Sequence, residues 1–138
     1  DRPVIIHARD AAARTSDILL DYPDLRDRVV FHCFSKGPHI AERILDAGFW
    51  LSFTGVVTFK NADEIRDSAK LCPADRIMIE TDAPFMTPEP RRNVRPNEPA
   101  FVALTAEFLA NLRGTSVVAF AAQSTKNAER FFGIAEVD

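Results

Sequence analysis

Short apolar runs alternate with segments of helical character through the first half of the chain. Residues 3–8 read Pro-Val-Ile-Ile-His-Ala, an unbroken run rather than a strict alternation, which predicts a parallel strand covered on both faces. A helix is expected over 11–21, with Asp10 as its cap and Pro23 as its stop. A second strand is expected at 28–33. Gly37-Pro38 then opens a helix with Ile40, Ala41, Ile44 and Leu45 on one face, and Gly48 ends it. A third strand at 49–53 is followed by a glycine turn at Gly55. A helix over 62–71 is broken by Pro73, and a fourth strand covers 76–81.

The pattern then changes. Residues 82–99 hold Pro84, Pro88, Pro90, Pro96 and Pro99 together with Arg91, Arg92 and Arg95, which predicts a long ordered loop. Asn97-Glu98-Pro99 starts an amphipathic helix with Phe101, Thr105, Phe108 and Leu112 as its buried stripe, and Gly114 ends it. Two shorter helices, 116–123 and 126–132, are expected to close the chain, with Phe120, Phe131 and Phe132 as core anchors. Strand–helix alternation with short connections gives an α/β parallel sheet with right-handed crossovers. Four such units make either an open sheet or part of a (β/α)8 barrel. A whole barrel takes about 250 residues, so this chain supplies about half of one.

Composition narrows the class without naming a function. With 138 residues, 46% hydrophobic and 27% charged, the chain reads as one soluble globular domain spanning 1–138. A net charge of -3 argues against broad binding of nucleic acid by bulk charge, though not against a local basic site or a metal that supplies the positive charge. Cys33 and Cys72 form neither a metal-type pair nor a disulfide framework, which suits a reducing cytoplasm. No apolar run is long enough for a membrane span and no signal peptide is visible. The chain opens without Met, two residues ahead of a strand, as a piece of a longer protein would.

The chemistry sits at strand ends. The first strand ends in His7, the second in His32, and the fourth runs out through Glu80 to Asp82. In parallel α/β folds the ligand site lies at the carboxyl ends of the strands. Neutral imidazoles with a carboxylate suit Zn, Mn, Fe or Co, and a carboxylate-rich set holds Mg. Residues two apart share a face, which places His7 with Arg9, His32 with Phe34, and Asp82 with Glu80, while Cys33 points away as a small core residue. Plainer readings stand beside these. A single strand-end histidine is commonly a hydrogen-bonded core residue, and Asp82 before Ala-Pro is a turn starter. Glu80, if buried, needs a partner, and Arg9 is one candidate. Ser35 is either a hydroxyl donor to substrate or a turn and cap residue. Arg91, Arg92 and Arg95 either grip phosphate or form a solvated basic loop. His39 reads as surface, Cys72 as a buried helix end and Trp50 as core. There is no Gly-rich phosphate loop, no Ser-His-Asp order and no zinc-finger spacing.

Five motifs in order carry a resemblance. They are Pro3 to Ala11, Phe31-His32-Cys33-Phe34-Ser35, Gly55-Val56-Val57-Thr58-Phe59-Lys60-Asn61-Ala62, Glu80-Thr81-Asp82-Ala83-Pro84 and Asn97-Glu98-Pro99. Together they resemble the TatD family of metal-dependent deoxyribonucleases, from the first residue to about Ile134. The resemblance implies the carboxyl-terminal half of a (β/α)8-like barrel of the amidohydrolase superfamily, with a metal site at its mouth. It implies His7, His32 and Asp82 as metal ligands, with Asp82 also holding the water and acting as general base. The remaining ligands of that family, an early His-x-His and a Glu, would lie upstream of Asp1. Two departures are visible. Lys36 replaces a usual glycine and adds a charge near the mouth, and Arg91-Arg92-Asn93-Val94-Arg95 replaces the usual Arg-Gly-Lys-Arg.

The expected function is therefore hydrolysis of DNA phosphodiester bonds, at ends or in single strands, with two divalent-metal sites (Mg, Zn or Mn) in the complete protein. Arg9, Ser35, Glu80, Arg92 and Arg95 are the expected substrate and supporting residues. The alternatives are a small-molecule amidohydrolase or esterase on the same fold, and an inactive fragment lacking the upstream ligands. Four strands leave two open edges, so the expected partners include the other half of the barrel or another copy of the chain.

Overall fold

The computed structural model describes residues 2–134. Four strands, β1 (Val4–His7), β2 (Val29–His32), β3 (Trp50–Phe53) and β4 (Ile77–Ile79), form one parallel sheet in the order β1-β2-β3-β4. Helices α1 (Ala12–Leu20), α2 (Pro38–Asp46) and α3 (Asp63–Leu71) make the three crossovers, and α4 (Val102–Leu112) and α5 (Val117–Phe132) follow the long loop. Each strand pairs with its sequence neighbour and the sheet does not close, the arrangement of half a (β/α)8 barrel. The strands are one to three residues shorter than expected. The last ladder bond of the fourth passes from Glu80 N–H to the Phe53 carbonyl at 3.1 Å, one residue past the strand end.

The pleat divides the sheet residues between two environments. Phe31, Leu51, Phe53 and Ile77 are buried against Ala41 and Ile44 of α2, Ala69 of α3 and Leu109 of α4. Each such side chain contributes roughly 1.5–3 kcal/mol by leaving water. The register sets Val30 opposite Trp50 and Ser52 opposite Met78 on the other face. There Val30, Trp50 and Met78 form a second buried cluster with Phe131 of α5. His7, His32 and Glu80 lie farther along this same face by the two-residue repeat, at the carboxyl ends of their strands. The lower part of the face is thus closed by α5, and the upper part is left for chemistry.

Trp50 is the hub of the closed part. Its Nε1–H donates to the Asp27 carbonyl at 3.0 Å, and Phe131 meets it edge-on at 5.5 Å between ring centroids. The guanidiniums of Arg76 and Arg130 lie 5.0 and 4.6 Å from the indole centroid.

Several local expectations change. α5 is one helix rather than two: it runs through residues 124–125, the expected break, with Ser124 and Asn127 both buried. Asn127 donates to the carbonyls of Ala74 at 2.8 Å and Ile77 at 2.7 Å. It supplies partners that β4, an edge strand, lacks on that side. Asn127→Ala is expected to cost about 1–3 kcal/mol through the orphaned carbonyls, read as a lower midpoint in urea unfolding. On α4 the fully buried positions are Thr105, Ala106, Leu109 and Ala110. The expected stripe of Phe101, Phe108 and Leu112 is only half-buried, because the helix docks turned by about one residue. Phe120 and Phe131 are core, but Phe132 is 42% exposed. Asp10 does not cap α1, since Lys36 takes its carboxylate. No helix among the described residues is long and apolar enough to cross a membrane.

Candidate functional site

In-register pairing of β1 with β2 sets His7 beside His32. His7 Nδ1 and His32 Nε2 stand 2.9 Å apart, with ring centroids separated by 5.1 Å. The two nitrogens are within hydrogen-bond distance, and the tautomer decides which of them donates. Adjacent ligands on one cation at about 2.0–2.1 Å are separated by about 2.9 Å at an octahedral right angle and by about 3.3 Å at the tetrahedral angle. Two neutral imidazoles this close would both reach one divalent cation once the proton between them moves to a far ring nitrogen. They do not complete a coordination sphere: among the described residues no three His, Cys, Asp or Glu side chains gather into a metal-holding group.

Glu80 supports this pair from behind. Its Oε1 accepts the Cys33 N–H at 2.6 Å and its Oε2 lies 3.5 Å from His32 Nδ1. The partner of Glu80 is thus the Cys33 backbone with His32, not Arg9, which is exposed. A carboxylate behind a ligating imidazole fixes the ring's tautomer and orientation.

The cavity beside the histidines has a volume of about 460 Å³. Its walls bring together His7, Arg9, His32, Ser35 and Asp82, five of the residues expected from the sequence. Cys33 also lines it, where the two-residue repeat placed that side chain in the core. The reason is its backbone, at φ +48°, which breaks the alternation after His32. Phe34 is consequently swung into the core, 4% exposed and edge-on to Phe53 at 5.9 Å. Partial burial pushes the Cys33 thiol up, so it stays protonated near neutral pH. Cys72, at the end of α3, is a buried thiol pushed up to about 12 by desolvation. His39 is exposed, as its place early in α2 suggests.

Asp82 and Met86 are also left-handed, at φ +56° and +58°, so three non-glycine residues around one cavity hold this uncommon conformation. The loop that imposes it is pinned by Asn97, which the sequence offered as a helix start and as part of one of the five motifs, without a role in the site. Asn97 is 4% exposed, and its side-chain amide donates to the carbonyls of Thr81 and Phe85 while its Oδ1 accepts from Glu98 N–H. An Asn directly before Glu-Pro was the available signal.

Lys36 adds no free charge to the mouth. Its Nζ pairs with Asp10 at 2.9 Å, and that hydrogen bond and charge hold the Asp10 carboxyl below its ordinary value. Arg92 and Arg95 are not in the histidine cavity. They line a neighbouring cavity of about 390 Å³, and Phe85 and Met86 form the wall shared by the two.

A half-barrel with paired imidazoles, an aspartate and a hydroxyl at the carboxyl ends of its strands is built like a metal-dependent barrel hydrolase. The chain belongs to the TatD-related DNase family, whose profile matches residues 1–133. The resemblance carried by the five motifs is confirmed. A protein of Escherichia coli K12 named uncharacterized metal-dependent hydrolase YcfH is 42% identical over 134 residues, 97% of this chain and 50% of that protein. The Erwinia amylovora protein named 3'-5' ssDNA/RNA exonuclease TatD is 36% identical, across 96% of this chain and 52% of its own. Among solved structures, the TatD homologue YJJV of Escherichia coli superposes with a TM-score of 0.86 at 28% identity, over 96% of this chain and 51% of that one. The chain spans about half the length of the relatives it matches.

Proposed function

We propose that the complete protein is a metal-dependent hydrolase that cuts phosphodiester bonds of DNA, acting on ends or single strands. The observation that carries this reading is the His7–His32 pair, 2.9 Å apart, opening into the cavity that Asp82 lines. A divalent metal bound there would supply Lewis-acid polarisation of the phosphoryl group and lower the pKa of the attacking water. His7 and His32 would hold it, and Glu80, 3.5 Å from His32 Nδ1, would keep that ring in its orientation. Asp82 takes the proton from the attacking water. Arg9 and Ser35, on the cavity wall, are placed to bind the phosphate. The family and the name of the Erwinia relative support nucleic acid as substrate. Free Cys33 and Cys72 fit a reducing cytoplasm as the setting.

The test is a substrate panel on the full-length protein after chelation and re-metallation. Cleavage of single-stranded DNA is expected to vanish with chelator and return with Mg, Mn or Zn. His32→Ala is expected to lower both bound metal and cleavage, the latter by about a hundredfold or more. Hydrolysis of cyclic amides without cleavage of DNA or of nitrophenyl phosphodiesters would overturn the reading in favour of a small-molecule amidohydrolase.

A further inference from the structure

The second cavity is built differently from the first. The Arg92 guanidinium carbon lies over the Phe59 ring, 3.4 Å from its centroid, a close contact of a cation with an aromatic face. Phe85, on the wall shared with the histidine cavity, is 66% exposed, and Met86 beside it is 39% exposed. Arg92 and Arg95 both line this cavity, no Asp or Glu does, and among the described residues neither arginine is ion-paired. On a chain of net charge -3 that is a local positive pocket with aromatic walls.

The platform is also held in place from below. Arg66 donates to the carbonyls of Val57 at 3.3 Å, Phe59 at 2.7 Å and Lys60 at 3.2 Å, which fixes the segment that carries the Phe59 ring. Thr58 Oγ1 accepts the Glu89 N–H at 2.9 Å, and Thr87 Oγ1 donates to the Val94 carbonyl at 2.9 Å. These bonds tie the arginine loop to the turn beneath it and to itself. A rigid aromatic face, a guanidinium lying over it and unpaired positive charge are what an unstacked nucleobase and its phosphate require. A duplex keeps its bases stacked inside and would not present one here.

We infer that Phe85 and the Phe59–Arg92 pair form a base-binding subsite for the nucleotide next to the scissile phosphodiester of a single-stranded nucleic acid. Phe85 takes the base by stacking, and Arg92 and Arg95 take the adjoining phosphate. This rests on the nuclease reading above, and the test separates the two. The probe is an end-labelled single-stranded deoxyoligonucleotide, paired with versions carrying one abasic residue at each position in turn. In the parent protein, one abasic position near the cut is expected to lower kcat/KM by about tenfold, chiefly through KM. Phe85→Ala is expected to lose about as much on the intact strand and to be indifferent to the abasic residue. Phe85→Trp is expected to restore discrimination. Phe85 projects into solvent, so the substitutions leave the core intact, and circular dichroism checks this. If the parent cleaves DNA but no abasic position matters, or if Phe85→Ala still discriminates fully, the subsite is wrong and the nuclease reading stands. If the parent cleaves no DNA, both fall.

Discussion

Asp82→Asn is expected to lower turnover of single-stranded DNA by about a hundred- to ten-thousand-fold in the full-length protein, while metal remains bound. The substitution is clean for a structural reason. Asp82 sits at φ +56°, and asparagine is among the few residues that adopt this conformation readily. The Asp82 carbonyl, which accepts the Phe85 N–H at 2.8 Å, is unaffected by the change. What disappears is a carboxylate able to take a proton, and general-base removal costs rates of that order. On the proposed reading His7 and His32 would still hold their side of the site, so metal content measured beside kcat separates lost chemistry from lost binding. Full activity in the variant would take Asp82 out of the reaction.

Gly55→Val is expected to be the most damaging substitution away from the chemistry. A Cβ at Gly55 would fall inside contact distance of the Met86 carbonyl oxygen, and 2.9 and 3.0 Å from the backbone N and Cα of Pro88. These are main-chain atoms of the loop that forms the wall between the two cavities, and they cannot rotate aside. The turn has no other way to yield, because Thr58 Oγ1 donates to the Gly55 carbonyl at 2.6 Å and accepts from Glu89 in the same loop. We expect a loss of about 3 kcal/mol or more in stability and a fall in DNA cleavage from displacement of Met86 and its neighbours. Gly55→Ala should show a smaller version of both. Thermal unfolding and activity, measured together, check it; unchanged values would mean the loop is free to retreat.

Glycine at this position is an example of what the sequence conceals. Gly55 was readable as a turn, but the need for its missing side chain comes from a loop some thirty residues later, which no local pattern encodes. The strand ends were legible for the opposite reason. β-branched runs ending in His7 and His32 follow from the sheet's repeat, and parallel pairing sets those ends side by side without further instruction. The repeat failed where the backbone left the strand, at Cys33, and that one residue exchanged the expected places of Cys33 and Phe34. Glu80 announced a need for a partner but not which one, because the Cys33 N–H that satisfies it is exposed by the same backbone turn. The arginine loop was visible as composition. Its separation from the histidine cavity by Phe85 and Met86 was not, since loop paths depend on tertiary bonds such as those of Asn97. The merging of two expected helices into α5 likewise depends on a buried polar contact that overrides local propensity.

Trp50 gives the molecule an optical reporter. It is the chain's one tryptophan, 1% exposed, and its environment is assembled from β3, from Arg76 ahead of β4 and from the last turns of α5. Emission from a sealed indole lies to the blue, and release of α5 would uncover the ring and shift it to the red. Because Phe131 and Arg130 both belong to that helix, fluorescence follows its docking onto the sheet directly, whereas helical ellipticity sums over every helix in the fold. Recorded together during unfolding, the two signals would distinguish a sheet that loses its last helix first from one that melts as a single unit.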